Sequence, residues 1–84
     1  MENPKIYVGN IGFNVTNEAL TNAFAKFGQV RSAKIITDRD TNRSKGFGFV
    51  EMGSGSEAAQ AISSLNGTDL DGRALNVTEA RPKN

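Results

Sequence analysis

An α+β sandwich is the fold this sequence predicts, with a four-stranded antiparallel sheet covered on one face by two helices and the chain running βαββαβ. Three observations point there. Four stretches alternate apolar and polar residues with period 2, and two others carry apolar residues at helical spacing. Each helical stretch has a single apolar stripe, so each can cover only one side of a sheet. The strand–helix–strand order occurs twice, which short right-handed crossovers fold into a split βαβ arrangement with strand order fourth, first, third, second.

The first strand is read at Ile6-Tyr7-Val8-Gly9-Asn10-Ile11, with Ile6 and Val8 on one face and Tyr7 on the other. A loop from Gly9 to Asn14 leads to Thr16, whose hydroxyl suits an N-cap. Leu20, Ala23, Phe24 and Phe27 then form the apolar stripe of the first helix, and Gly28 fits a C′ stop. Val30 to Thr37 is the second strand, with Ala33 and Ile35 on one face and Lys34 and Ile36 on the other. Asp38 to Ser44 is a polar loop in which Asn42 suits a left-handed turn. Lys45 to Met52 is the third strand. Ser54-Gly55-Ser56-Glu57 has the S-x-x-E form of a capping box and opens the second helix, whose stripe is Ala58, Ala61, Ile62 and Leu65 and whose end is Asn66-Gly67. Asp71-Gly72 marks a turn within a small hairpin. Leu75 and Val77 give the last strand, with Asn76 and Thr78 on its other face, and Pro82 should stop pairing there. This is the ferredoxin-like plan, expected as one domain over residues 1–84 with a core at about 5–81.

Lys45-Gly46-Phe47-Gly48-Phe49-Val50-Glu51-Met52 has two unlike faces. Phe47, Phe49 and Glu51 point one way; Gly46, Gly48, Val50 and Met52 point the other. An ordinary core strand would bury the Phe residues. Glu51 shares their face, however, so that face reads as the wet one, and the strand then offers two rings to a ligand. Planar rings on an open surface suit bases, because every base has a π-face to stack. Gly48 lies on the packing face, where its missing side chain would let a helix approach closely. The inferred strand order sets the first and third strands side by side, bringing Tyr7 next to Phe47 and Phe49 on the face without helices. An exposed aromatic patch of this kind calls for a partner.

Composition narrows the chemistry. With 37% hydrophobic residues and nine Gly in 84, the chain has the apolar content of a small globular domain. It has no Cys and no His, which excludes disulfides, thiolate zinc sites, His general bases and Cys nucleophiles. Ten basic against nine acidic residues leave a net charge of +1, so attraction to a polyanion must come from local placement. Met1 to Lys5 is polar, and no apolar run approaches the ~20 residues a membrane span needs. The expectation is a cytoplasmic monomer with no membrane partner and no cofactor.

The octamer from Lys45 to Met52 resembles the octamer ribonucleoprotein motif of the RNA recognition motif (RRM) family, K/R-G-F/Y-G/A-F-V-x-F/Y, and Ile6 to Ile11 resembles that family's hexamer. The likeness covers about residues 5–81 and is nearest to small single-domain bacterial RRM proteins and glycine-rich RNA-binding proteins. It implies a binding module for single-stranded RNA, with single-stranded DNA bound more weakly. It implies stacking positions at Tyr7, Phe47 and Phe49 and a phosphate contact at Lys45. Arg43 joins Lys45 as a candidate phosphate partner, in the loop between the second and third strands that the family also uses, and Lys34 is a further candidate nucleic-acid contact. The segment leaving the last strand adds Arg81 for phosphate and backbone groups near Glu79 and Ala80 for base edges. One position departs: Met52 stands where the family prefers an aromatic, and period 2 places it in the core, where it affects packing more than binding.

Other patterns are weaker. Gly53 to Ala58 matches G-x-G-x-x-A after a strand, the outline of a dinucleotide fingerprint, but the chain is too short for a doubly wound sheet and the capping box accounts for the same residues. Asp38-x-Asp40-x-Asn42 begins like a calcium loop, yet Arg43 and Phe49 stand where it requires Gly and Glu. Arg39, Arg43 and Lys45 also fit a merely solvated loop rim. One rival on the same topology is an RRM-like domain that binds a protein; a small phosphatase would need an anion cradle of convergent Arg and Asn, but no Gly-rich loop at a strand end carries both and there is no His or Cys to act, so no enzyme is expected.

Overall fold

The computed structural model describes residues 4–70 and 72–80. Its elements in chain order are β1 (Lys5–Gly9), α1 (Asn17–Ala25), β2 (Val30–Thr37), β3 (Ser44–Met52), α2 (Gly55–Leu65), β4 (Asp69–Leu70), β5 (Arg73–Ala74) and β6 (Asn76–Glu79). The main sheet is antiparallel in the order β2-β3-β1-β6. With β6 as the fourth long strand, this is the predicted fourth, first, third, second. The expected hairpin is present as the separate pair β4–β5. The expectations at Asp71, Arg81 and Pro82 lie outside the described residues.

Alternation decides which face is dry. Ile6, Val8, Ile35, Val50, Met52 and Val77 are buried on one face of the sheet, together with Leu20 and Phe24 of α1 and Ala58 and Ala61 of α2. The small side chains of α2 let that helix lie close over β1, β3 and β6, while α1 packs chiefly on β2. Met52 is fully buried, so the departure from the octamer pattern does fall in the core.

Both predicted N-caps form. The Thr16 hydroxyl accepts from the Ala19 amide at 3.1 Å, and Ser54 Oγ accepts from the Glu57 amide at 3.2 Å. The box at α2 is completed differently from the expected form. Glu57 Oε1 accepts from the Ser54 hydroxyl at 3.0 Å, and its Oε2 accepts from the Gln29 amide at 2.8 Å, pinning the start of β2 to the start of α2.

Two glycines have roles other than those expected. α1 is capped at Lys26, and Phe27 donates to the Phe24 carbonyl at 3.0 Å, so Gly28 lies beyond the C′ position. Gly28 is needed there because a Cβ would collide with the Glu57 carboxylate. At Gly48 the close neighbour is a strand and not a helix. A Cβ would lie 2.5 Å from the Lys34 carbonyl oxygen and 3.0 Å from the Ile35 Cα of β2. The β2–β3 register shifts on both sides of this point, and the backbones crowd there.

Candidate nucleic-acid interface

Register brings the three rings together. Tyr7 pairs with Phe49 and Gly9 with Phe47 across the central β1–β3 ladder. Gly9 has no side chain on this face, and a Cβ there would sit 2.9 Å from Tyr7 Oη and 3.0 Å from its Cε2. The Tyr7 ring therefore leans along its own strand over Gly9 and reaches Phe47, 6.0 Å between centroids and 29° between planes. Phe49 stands edge-on to both, 5.8 Å from Tyr7 and 6.1 Å from Phe47. Such offset and edge-to-face pairs are the favoured geometries, each contributing about 0.5–1.5 kcal/mol. The face is open but the rings share it unequally. Phe49 is 43% exposed, whereas Tyr7 and Phe47 are half-buried against their neighbours.

Charge flanks the rings. Lys34 of β2 pairs with Phe49 and is exposed on the same face. Arg43 is exposed in the turn before β3, where its carbonyl accepts from the Asp38 amide at 2.8 Å. Asn42 beside it has φ 59°, the predicted left-handed turn. Lys45 is exposed as well, and Gly46 between it and Phe47 has φ +86°, outside the extended backbone of an alternating strand.

At the other end of the face a shallow trough of about 420 Å³ spans β2, β3 and β1 and reaches Ala80 just past β6, lined by Lys5, Ser32, Lys34, Phe49, Glu51 and Ala80. Ala80 thus borders the face, but its amide donates to the Lys5 carbonyl at 3.0 Å and is not offered to a base. Glu79 pairs with Ile6, whose side chain is in the core, whereas Thr78 pairs with Tyr7 and lies on the aromatic face. Sequence reasoning put Thr78 on this face without a role and passed over Lys5 and Ser32. Both are findable by parity: Lys5 lies two residues from Tyr7, and Ser32 two from Lys34.

The chain is thus a two-layer domain with helices behind its sheet and an aromatic cluster in front. Comparisons with known proteins give its family. The family profile described as RNA recognition motif matches residues 6–76. The chain belongs to the RNA recognition motif family. It is 51% identical over 79 residues to the chloroplastic 29 kDa ribonucleoprotein of Arabidopsis thaliana, covering 94% of this chain and 23% of that protein. It is 49% identical over 78 residues to the putative RNA-binding protein RbpF of Nostoc sp., covering 93% and 74%. Among solved structures, RNA binding protein PG1 superposes with a TM-score of 0.88 at 48% identity, covering 94% of this chain and 98% of that one. The RRM of Rna15 with bound RNA (GU) superposes at 0.85 with 30% identity, covering 95% and 85%.

Proposed function

We infer that this domain binds single-stranded RNA across its open sheet face. The observation that carries the reading is the cluster of Tyr7, Phe47 and Phe49, at 5.8–6.1 Å spacing, on the side without helices. Phe49, the most exposed of the three, is the first platform, and the offset Tyr7–Phe47 pair is the second. Lys34, Lys45 and Arg43, with Arg81 beyond the described residues, meet phosphates. Backbone groups at Glu79 and Ala80 other than the Ala80 amide meet base edges. The likeness to the RRM of Rna15 with bound RNA (GU) supports the RNA reading. Stacking needs no 2′-hydroxyl, so single-stranded DNA binds too, more weakly where that hydroxyl is contacted. The domain acts as a monomeric binding module and not as an enzyme. The proposed compartment is the cytoplasm; cell fractionation tests this, with an organelle as the other outcome, since one relative is chloroplastic.

Replacing Phe47 and Phe49 together by Ala tests the site. The double change removes all three ring–ring contacts, about 1.5–4.5 kcal/mol in total, against a stability of about 4–13 kcal/mol for a domain of this size, so a thermal melt first establishes that the variant is folded and Phe49→Ala alone serves as the milder variant. Binding loses about 1–3 kcal/mol for each base without its platform. Affinity for a random single-stranded RNA pool should fall at least about thirtyfold. A folded double variant with unchanged RNA affinity would defeat the reading.

A further inference from the structure

Two structural demands meet at the end of α2. Gly67 follows the cap residue with φ +84°, a left-handed conformation that Gly adopts without penalty. An added Cβ there would meet nothing within 4 Å, so conformation and not space calls for Gly. Asn66 is the cap residue itself, and its Oδ1 accepts from the Val77 amide of β6 at 3.0 Å. Together they make the one Asn-Gly pair in the sequence. That pair is chemically labile. Gly puts no side chain beside its own amide nitrogen, so the nitrogen can attack the carboxamide of the preceding Asn.

The folded domain keeps the reacting atoms apart in three ways. Ring closure needs the Gly67 nitrogen nearly eclipsed with Asn66 Cβ about the Cα–C bond, and the Asn66 ψ of 125° is far from that arrangement. The Gly67 N–H donates to the Leu75 carbonyl at 2.8 Å, which turns the nitrogen toward the start of β6 and favours its protonated form. The Val77 amide holds the carboxamide by its oxygen. A further bond, from the Leu75 amide to the Thr68 carbonyl at 2.9 Å, ties the same two segments. Leu75 and Val77 are each 1% exposed, so residues 66–68 cannot swing free unless the start of β6 lifts from the core. Asn66 and Gly67 are themselves exposed, so water already reaches them.

We propose that Asn66 is a deamidation site which the fold holds inactive, and that it reacts in molecules whose β6 has separated from the end of α2. The Gly67 nitrogen loses its proton and bonds to Asn66 Cγ. The Cγ–Nδ2 bond breaks, and the side-chain nitrogen takes up that proton and leaves as ammonia. A solvent water then opens the succinimide. Opening at Cγ gives aspartate in place of Asn66; opening at the backbone carbonyl gives an isoaspartyl linkage, with the chain running through Cβ. No group is oxidised or reduced. Aspartate keeps an acceptor for the Val77 amide. The isoaspartyl form adds a methylene to the backbone at the end of α2, so the bonds to Val77 and Leu75 cannot both re-form. The modification thus marks molecules that have opened, and the isoaspartyl ones do not regain full stability. None of this depends on how the sheet binds RNA.

The test incubates the protein at mildly alkaline pH over a urea series that spans unfolding, with deamidation at each Asn followed by peptide mass mapping. In the unfolded chain Asn66 should react first. Without urea it should react at least about a hundredfold more slowly, the factor that an opening free energy of about 2.8 kcal/mol supplies. Between these limits the logarithm of the rate should rise with urea. Leu75→Ala loosens β6 without touching the pair, so it should speed the reaction without urea and leave the unfolded rate unchanged. Leu75→Val takes its place if a thermal melt shows Leu75→Ala to be unfolded. The purified isoaspartyl form should melt below Asn66→Asp, the other product. Equal rates in the folded and unfolded protein would overturn the protection by the fold. A folded Leu75 variant reacting at the wild-type rate would overturn the role of β6. Faster reaction at another Asn would overturn Asn66 as the site, and an isoaspartyl form as stable as Asn66→Asp would overturn the loss of stability.

Discussion

Two glycines on adjacent strands separate binding from folding at the scale of single residues. At Gly9 an added Cβ meets the far end of Tyr7, 2.9 Å from its hydroxyl oxygen, and that ring can swing aside. At Gly48 the added Cβ meets backbone, 2.5 Å from the Lys34 carbonyl oxygen, and the backbone of a paired strand cannot move without breaking its ladder. Gly9→Ala should therefore leave the melting temperature nearly unchanged and weaken RNA binding by about 1–3 kcal/mol, the value of one misplaced stacking ring. Gly48→Ala should instead destabilise by about 1–3 kcal/mol, the usual cost of overpacking, with binding per folded molecule preserved. Chemical denaturation and RNA titration of both variants check this, and a swapped pattern would reassign the roles. The faces of these residues were legible in the sequence because parity is local. What presses on Gly48 was not, because the shifted β2–β3 register is a tertiary feature with no mark in the octamer.

At the scale of elements, the two helices protect the sheet edges by the same device. β2 and β6 are the outer strands, where alternate amides lack a ladder partner. Asn17, the first residue of α1, accepts from the Ile35 amide of β2 at 2.8 Å, and Asn66, the cap of α2, accepts from the Val77 amide of β6 at 3.0 Å. Both bonds are partly buried, so an Ala at either position leaves an amide poorly satisfied, at a cost of about 1–3 kcal/mol. The two edges are three strand spacings apart, roughly 14 Å, and share no partner. The double variant should therefore lose the sum of the single losses to within about 0.5 kcal/mol. Urea unfolding of the two single variants and the double variant measures it; marked non-additivity would mean the edges are coupled through the core. Sequence reading placed Asn66 at a helix end and left Asn17 unremarked. Neither residue's second task was visible, because an Asn near a helix terminus looks the same whether its side chain faces water or a strand 18 or 11 residues away.

For the whole molecule, the open question is whether rings or charge dominate binding, and the sequence and the geometry answer together. Net charge is only +1, so no long-range field draws in a polyanion. The aromatic face was legible from the parity of Tyr7, Phe47, Phe49 and Glu51, whereas the bracing of the β1–α1 loop at Asn10 by Arg73 and Ala74 of the β4–β5 hairpin joins segments that meet only in the fold. Among the described residues the cations bordering the face are few: Lys5 and Lys34 at the trough beside Phe49, and Lys45 and Arg43 at the turn end of β3. Two to four phosphate contacts imply a log–log salt slope of roughly −1.4 to −2.8 for a single strand, at about −0.7 per phosphate neutralised. Between about 50 and 200 mM salt such a slope costs roughly 7- to 50-fold in affinity, and the part carried by stacking responds little to salt. Duplex RNA hides its base faces and offers mainly phosphates and 2′-hydroxyls, so it should bind more weakly than a single strand of the same length. Titrations of single-stranded and duplex RNA over a range of salt concentrations check both statements. A slope near −6, or tighter binding to the duplex, would show that charge leads and that the aromatic face is secondary. A slope within the expected range that becomes shallower by roughly 0.7 in Lys34→Gln would identify Lys34 as one of the phosphate contacts.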